Sequence, residues 1–168
     1  MNDSFILRDR KWRETNERVT LSSYAMLSEE SKGRFKKEDQ DPFRTVFERD
    51  RDRIIHSKTF RRLKHKTQVF INPDGDHFIT RMTHTLNVTQ IGRSIAKTLG
   101  LNPDLTEAIC LGHDVGHSPF GHTGEEVLND MLDGGWSHSE NSVKMLSIIE
   151  PLNLTKETIN GIEKHPWK

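Results

Sequence analysis

Residues 113–126 read HDVGHSPFGHTGEE and gather His113, His117, His122, Asp114, Glu125 and Glu126 into one short stretch. Imidazoles and carboxylates are what hard and borderline divalent metals take from proteins, and they are also the usual general acids and bases. Gly116, Gly121, Gly124 and Pro119 punctuate the stretch, which predicts tight turns rather than one continuous helix. A segment of this kind must be held in place by its neighbours.

Immediately upstream, Val88, Ile91, Ile95 and Leu99 form an inward stripe at helical spacing, with Gly92 and Ala96 leaving room for a close neighbour. Carried back by one turn, the stripe reaches His84. Leu99-Gly100 predicts the stop of this helix. Asn102-Pro103 then caps and opens a second one, with Leu105, Ile109 and Gly112/His113 on one face. Helices joined by so short a link are antiparallel neighbours. If they cross at an angle, His84 and His113 converge. A lone histidine on an apolar stripe is ordinarily a core residue bonded to a carbonyl. Two at converging helix ends, one followed by Asp114, require something cationic between them.

Downstream, Thr123 and Glu126 predict a capping box that opens a helix through Val127, Leu128, Met131 and Leu132, ended by Gly134-Gly135. Ser137 or Ser139 opens another, with Val143, Leu146 and Ile149 inward, and Thr155 opens a last one through Ile159 and Ile162. Further upstream, Asp41-Pro42 predicts a helix start, followed by apolar residues from Phe43 to Leu63. Between these lie Arg49, Arg51 and Arg53, expected as a solvated face paired with Glu48, Asp50 and Asp52. Asn72-Pro73-Asp74-Gly75 reads as a turn. Residues 1–41 read as a polar N-terminal extension whose segment 28–40 is exposed. Every regular element is helical, so the fold class is all-α.

Composition narrows the function. A length of 168 residues suits one domain. The balance of 25 basic and 25 acidic side chains argues against a general nucleic-acid surface. Cys110 is the single cysteine, which excludes a disulfide framework or a cysteine-rich zinc site and fits a reducing cytosol. No run has the length and apolarity of a membrane span, and the start lacks a signal-type apolar core. The expected location is cytoplasmic, with no membrane partner.

Three longer motifs carry a family resemblance: ERDRDRIIHSKTFRRLKHKTQV at 48–69, RMTHTLNV at 81–88 and LGHDVGHSPFGHTGEEVLN at 111–129, continued by WSHSEN at 136–141. In order and spacing they resemble the deoxyguanosinetriphosphate triphosphohydrolase family of the HD superfamily. The resemblance implies an HD-domain helical bundle, with residues 42–168 as the N-terminal portion of the phosphohydrolase domain. It also implies hydrolysis of a deoxynucleoside triphosphate, with dGTP as the leading substrate, to deoxynucleoside and triphosphate. On it, His84, His113 and Asp114 would hold a divalent metal (Mg²⁺, Mn²⁺ or Fe²⁺). His122 and Glu125, three apart across a turn, would act at the α-phosphate. His117 and His138 would line the pocket, Arg81 would contact phosphate and Gln68 the sugar 3′-hydroxyl. Full-length members are expected to form homo-oligomers. The family pattern also needs a downstream aspartate ligand, whereas the last aspartate here is Asp133. The chain is therefore expected to be a fragment, a truncated gene product or a degenerate copy. Two alternatives stay open: an inactive remnant or nucleotide-binding module, and another HD nucleotide phosphodiesterase.

Overall fold

Capping residues set most of the helix starts in the computed structural model, which describes residues 7–66 and 79–166. Gln68 and the turn expected at 72–75 lie outside the described residues. Asp9 accepts from the Trp12 amide and opens α1, Arg10–Thr20. Thr45 and Glu48 form a reciprocal capping box at the start of α2, Val46–His56. Ser57 caps the short α3, Lys58–Arg61, which runs into a 3₁₀ turn at Arg62–His65. Thr80 caps α4, Arg81–Thr98, and Asn102 caps α5, Pro103–Gly112. Next come α6, Gly121–Met131, and α7, His138–Lys144, which ends in a π-helical turn at Met145–Ile149. Thr155 caps α8, Lys156–Lys164. Among the described residues there is no strand; a backbone bridge joins Arg34 to Thr155.

Helix α5 is the centre of the packing, in contact with α2, α4 and α8. The core joins Ile54, Phe60, Leu63, Ala108, Leu111, Val115, Leu146, Leu154 and Ile162. Burying each large apolar side chain of this set contributes roughly 1.5–3 kcal/mol. Val115 belongs to the core and also to the histidine-rich stretch 113–126, so that loop is anchored in the hydrophobic interior.

Several expectations are corrected. The second helix does not start at Asp41-Pro42. Asp41 Oδ1 instead accepts from the amides of Phe43 and Arg44, forming a turn, and the capping box at Thr45 starts the helix. The apolar stripe of α4 does not face inward: Ile91, Ile95 and Leu99 are exposed, and Arg81, Thr85, Thr89 and Ala96 are buried instead. Small side chains face α5 because the helices approach closely at Gly92, where a Cβ would press on Cys110 Sγ at 2.9 Å. Helix α6 starts at Gly121, so Thr123 lies inside it rather than capping it, and Gly124 is helical. Its Val127 and Met131 are exposed, as are Leu132 just past its end and Ile149 after α7. Segment 28–40 is not simply an exposed arm. The Arg34 side chain is 6% exposed and pairs with Asp50, while Arg49 and Arg53 pair with Glu38 rather than along their own helix.

Candidate active site

The loop between α5 and α6 is built by reversals of the backbone. Asp114 O accepts from the His117 amide at 3.1 Å, closing one turn. Phe120 and Gly121 both take left-handed backbone, with φ of 65° and 62°, and this swings the chain into α6. A Cβ at Gly124 would overlap the Pro119 carbonyl, so the loop folds back tightly over the first turn of α6. Gly116 has the same role against α7. A Cβ there would overlap the Ser142 backbone nitrogen, and the Gly116 amide donates to Ser142 Oγ at 2.9 Å. Asn141 Nδ2 donates to the Gly116 carbonyl at 2.6 Å, and Lys66 Nζ donates to the carbonyls of Val115 and His117.

This scaffold brings together His84, from the first turn of α4, with His113 and Asp114 at the end of α5. One ligand atom from each lies within 4.8 Å of the others, and the two imidazole centroids are 5.9 Å apart. Atoms bound to one ion at about 2.0–2.2 Å sit up to about 4.4 Å apart, so a small contraction would let all three reach a common cation. The tautomer of His113 suits that task. Its Nδ1 is 2.7 Å from the Cys110 carbonyl oxygen, which can only accept, so Nδ1 carries the hydrogen and Nε2 keeps its lone pair. Burial also pushes the His113 pKa down, favouring the neutral ligand form. The C-terminal end of α5 adds partial negative charge at the same point.

Asp114 is buried and accepts from Arg81 NH1 at 2.8 Å. Burial alone would raise its pKa, but His113 and the Arg81 guanidinium hold the carboxyl below the usual value. Arg81, expected at a phosphate, is 2% exposed and committed to Asp114. It lies against the Asp114 carboxylate rather than in open solvent.

A second group of side chains adjoins the first. His122 and Glu125 sit on the first turn of α6, and His122 Nδ1 donates to Glu125 Oε2 at 3.3 Å. The two are neighbours along a helix face, not across a turn. Glu125 also accepts from the backbone amide of His138 at 3.0 Å and faces its Nδ1 at 2.9 Å from each oxygen. Burial opposes the charge on Glu125, yet the bonds from His138 and His122 keep its pKa below the usual value. His117 lies between the groups, stacked on His138 with centroids 4.6 Å apart. Both of its ring nitrogens are buried without a hydrogen-bond partner. Burial, with Arg81 nearby, pushes its pKa down to about 4. Ligand atoms of Asp114, His117 and His138, and of His117, His122 and Glu125, also cluster within metal-binding reach. An unpartnered imidazole inside such a run of donors fits a site made to receive a cation or a ligand. Beside it an open cleft of ≈ 820 Å³ is lined by His122, Glu125, Trp136 and His138.

Sequence reasoning missed His165. It ends α8 with Nε2 3.0 Å from His138 Nε2, and its ring packs edge-on against His113 with centroids 5.1 Å apart. The inward stripe Thr158, Ile162, His165 was the available signal, of the same kind that pointed to His84. Lys66 and Ser142, which hold the loop through backbone groups, carry no sequence signal for that task.

An all-helical domain with a histidine of one helix meeting a His-Asp pair at the end of the next matches the HD-domain family model over residues 81–166, and the chain belongs to that family. Among curated proteins it is 61% identical over 149 residues to the deoxyguanosinetriphosphate triphosphohydrolase-like protein of Caldanaerobacter subterraneus subsp. tengcongensis, covering 86% of this chain and 44% of that protein. It is 58% identical over 160 residues to the protein of the same description from Clostridium tetani, covering 93% of this chain and 46% of that one. The chain thus spans less than half the length of these relatives, corresponding to their N-terminal part. Among the described residues no helix is long and apolar enough to cross a membrane.

Proposed function

We propose that this chain carries the metal-binding and acid–base portion of a deoxynucleoside triphosphate triphosphohydrolase, with dGTP as its first substrate. The juxtaposition of the His84, His113 and Asp114 donors with the Glu125-centred histidines carries this reading. In the proposed reaction a water oxygen bonds to the α-phosphorus and the bond from that phosphorus to O5′ breaks. Triphosphate leaves with the water oxygen, and a proton must reach O5′ of the deoxynucleoside.

His84, His113 and Asp114 would hold a divalent cation (Mg²⁺, Mn²⁺ or Fe²⁺), which neutralises charge and polarises phosphoryl oxygen when bound. Glu125 accepts from His122 Nδ1, so the exposed His122 ring turns its other nitrogen to the cleft, where it can pass a proton to or from the reacting oxygens. Arg81 holds the Asp114 carboxylate in place. His117 and His138 line the passage between the two groups, and Gln68 is proposed for the sugar 3′-hydroxyl. Cytoplasmic location and assembly into a homo-oligomer belong to the same proposal.

The test is incubation of the purified chain with dGTP and Mn²⁺, with His113→Ala as control. Triphosphate and deoxyguanosine are the expected products, lost in the variant. Pyrophosphate or orthophosphate would instead indicate another HD phosphodiesterase. Absence of turnover with weak metal binding would indicate an inactive remnant.

A further inference from the structure

The outward face of α4 is nearly free of charge. Arg81 is buried against Asp114 and Arg93 pairs with Glu107, which leaves Lys97 as the one charged side chain on the exposed side of this helix. The exposed positions are instead Leu86, Ile91, Ile95 and Leu99, set among the uncharged Asn87, Gln90, Ser94 and Thr98. Ile91, Ile95 and Leu99 are 57%, 54% and 59% exposed. A helix face that meets water ordinarily carries charged side chains, and 30% of this chain is charged, so the face is not short of them by composition. Depletion of charge around large apolar side chains is the mark of the centre of an interface.

We propose that this face is the seat of the C-terminal part of the longer relatives, laid along α4 as an amphipathic helix whose apolar side covers Ile91, Ile95 and Leu99. The chain matches 44% and 46% of the two relatives, so more than half of each is polypeptide without a counterpart here. The end of α8 lies at the foot of the face. His165 packs on His113 with centroids 5.1 Å apart, and His113 is 5.9 Å from His84, where the stripe through Val88, Ile91, Ile95 and Leu99 begins. Polypeptide that follows the matched part in a relative therefore sets out beside the His84 end of α4 and has the length of the helix to run along. From His84 to Leu99 that length is about 22 Å at 1.5 Å per residue, four helical turns of contact. The inference concerns packing and goes beyond the proposed function, so its test needs no turnover.

The experiment compares the chain alone with a fusion in which it is continued by the C-terminal part of the Caldanaerobacter relative, 61% identical over the shared part. Ile95→Glu places a carboxylate on the face. In the chain alone, where position 95 meets water, Tm should stay within about 1 °C. In the fusion, where the carboxylate would be buried without a partner, Tm should fall by about 5 °C or more. Ile95→Leu, which keeps the apolar surface, should leave the fusion unchanged. Equal shifts in the two proteins overturn the proposal, as does a fusion destabilised by Met131→Glu on the exposed side of α6 but not by Ile95→Glu. If the fusion does not fold, co-expression of the two parts decides. The C-terminal part should then co-purify with the tagged chain, with binding weakened at least about thirtyfold by Ile95→Glu. Absence of co-purification overturns the proposal. So does a dimer of the chain alone that Ile95→Glu dissolves, since the face would then belong to a second copy.

Discussion

Lys66 spends its ammonium group on two carbonyl oxygens of the site loop, those of Val115 at 3.1 Å and His117 at 2.8 Å. Burial, reinforced by Arg62 and Arg81, pushes its pKa from 10.5 down to about 8. Between those two values the unfolded chain binds more protons than the folded one, so the contribution of Lys66 to stability rises with pH across that window. Below it, the cost of burying the charge is fully present. Urea unfolding of the protein and of Lys66→Met, compared at the two ends of the window, should show the unsubstituted protein gaining about 1–2 kcal/mol relative to the variant, after a discount for partial exposure. A difference that does not change with pH would refute this account of Lys66.

Asp50 does for whole helices what Lys66 does for a loop. From α2 it accepts the Thr155 amide at 2.8 Å, Thr155 Oγ1 at 2.6 Å and Thr158 Oγ1 at 2.8 Å, all at the start of α8. It also pairs with Arg34, which reaches in from the N-terminal segment. One carboxylate with 0% exposure thus fixes three parts of the chain, including the helix whose far end carries His165. Asp50→Asn preserves the volume but removes the buried charge facing Arg34, leaving the guanidinium only its partly exposed partner Glu38 at 2.8 Å. The expected loss is about 3 kcal/mol in urea unfolding, the low end for a broken buried pair. A loss below about 1 kcal/mol, the worth of an exposed pair, would mean that the cluster is not a buried network.

The molecule as a whole should respond to a cation as a ligand of its folded state. Mn²⁺ at a hundred times its dissociation constant should add about 2.7 kcal/mol of stability. For a chain of this size that is a rise in Tm of about 5–10 °C. Scanning calorimetry should show the rise reversed by a chelator and absent in His113→Ala. An equal rise in that variant would place the cation elsewhere.

Helix class and many of the helix caps were legible in the sequence, because each rests on interactions within about one helical turn; the convergence of His84 with His113 followed instead from the short link that makes α4 and α5 neighbours, although the stripe leading to His84 turned outward. The caps at Asn102, Ser137 and Thr155 and the stop at Gly100 are found where the residue types predicted them. The Thr45–Glu48 capping box that starts α2 is equally readable from its residue types. Other features were not decided locally. Periodicity marks an apolar face on α4, but contact with α5 at Gly92 buries the small residues and turns Ile91, Ile95 and Leu99 outward. Thr123 has the residue type of a cap, yet the left-handed backbone at Phe120 and Gly121 starts the helix before it. His138 and His165, 27 positions apart, meet only because α8 returns to α7. A cap or a periodic stripe draws its energy from adjacent residues, whereas these contacts draw theirs from how the helices pack, which no single stretch encodes.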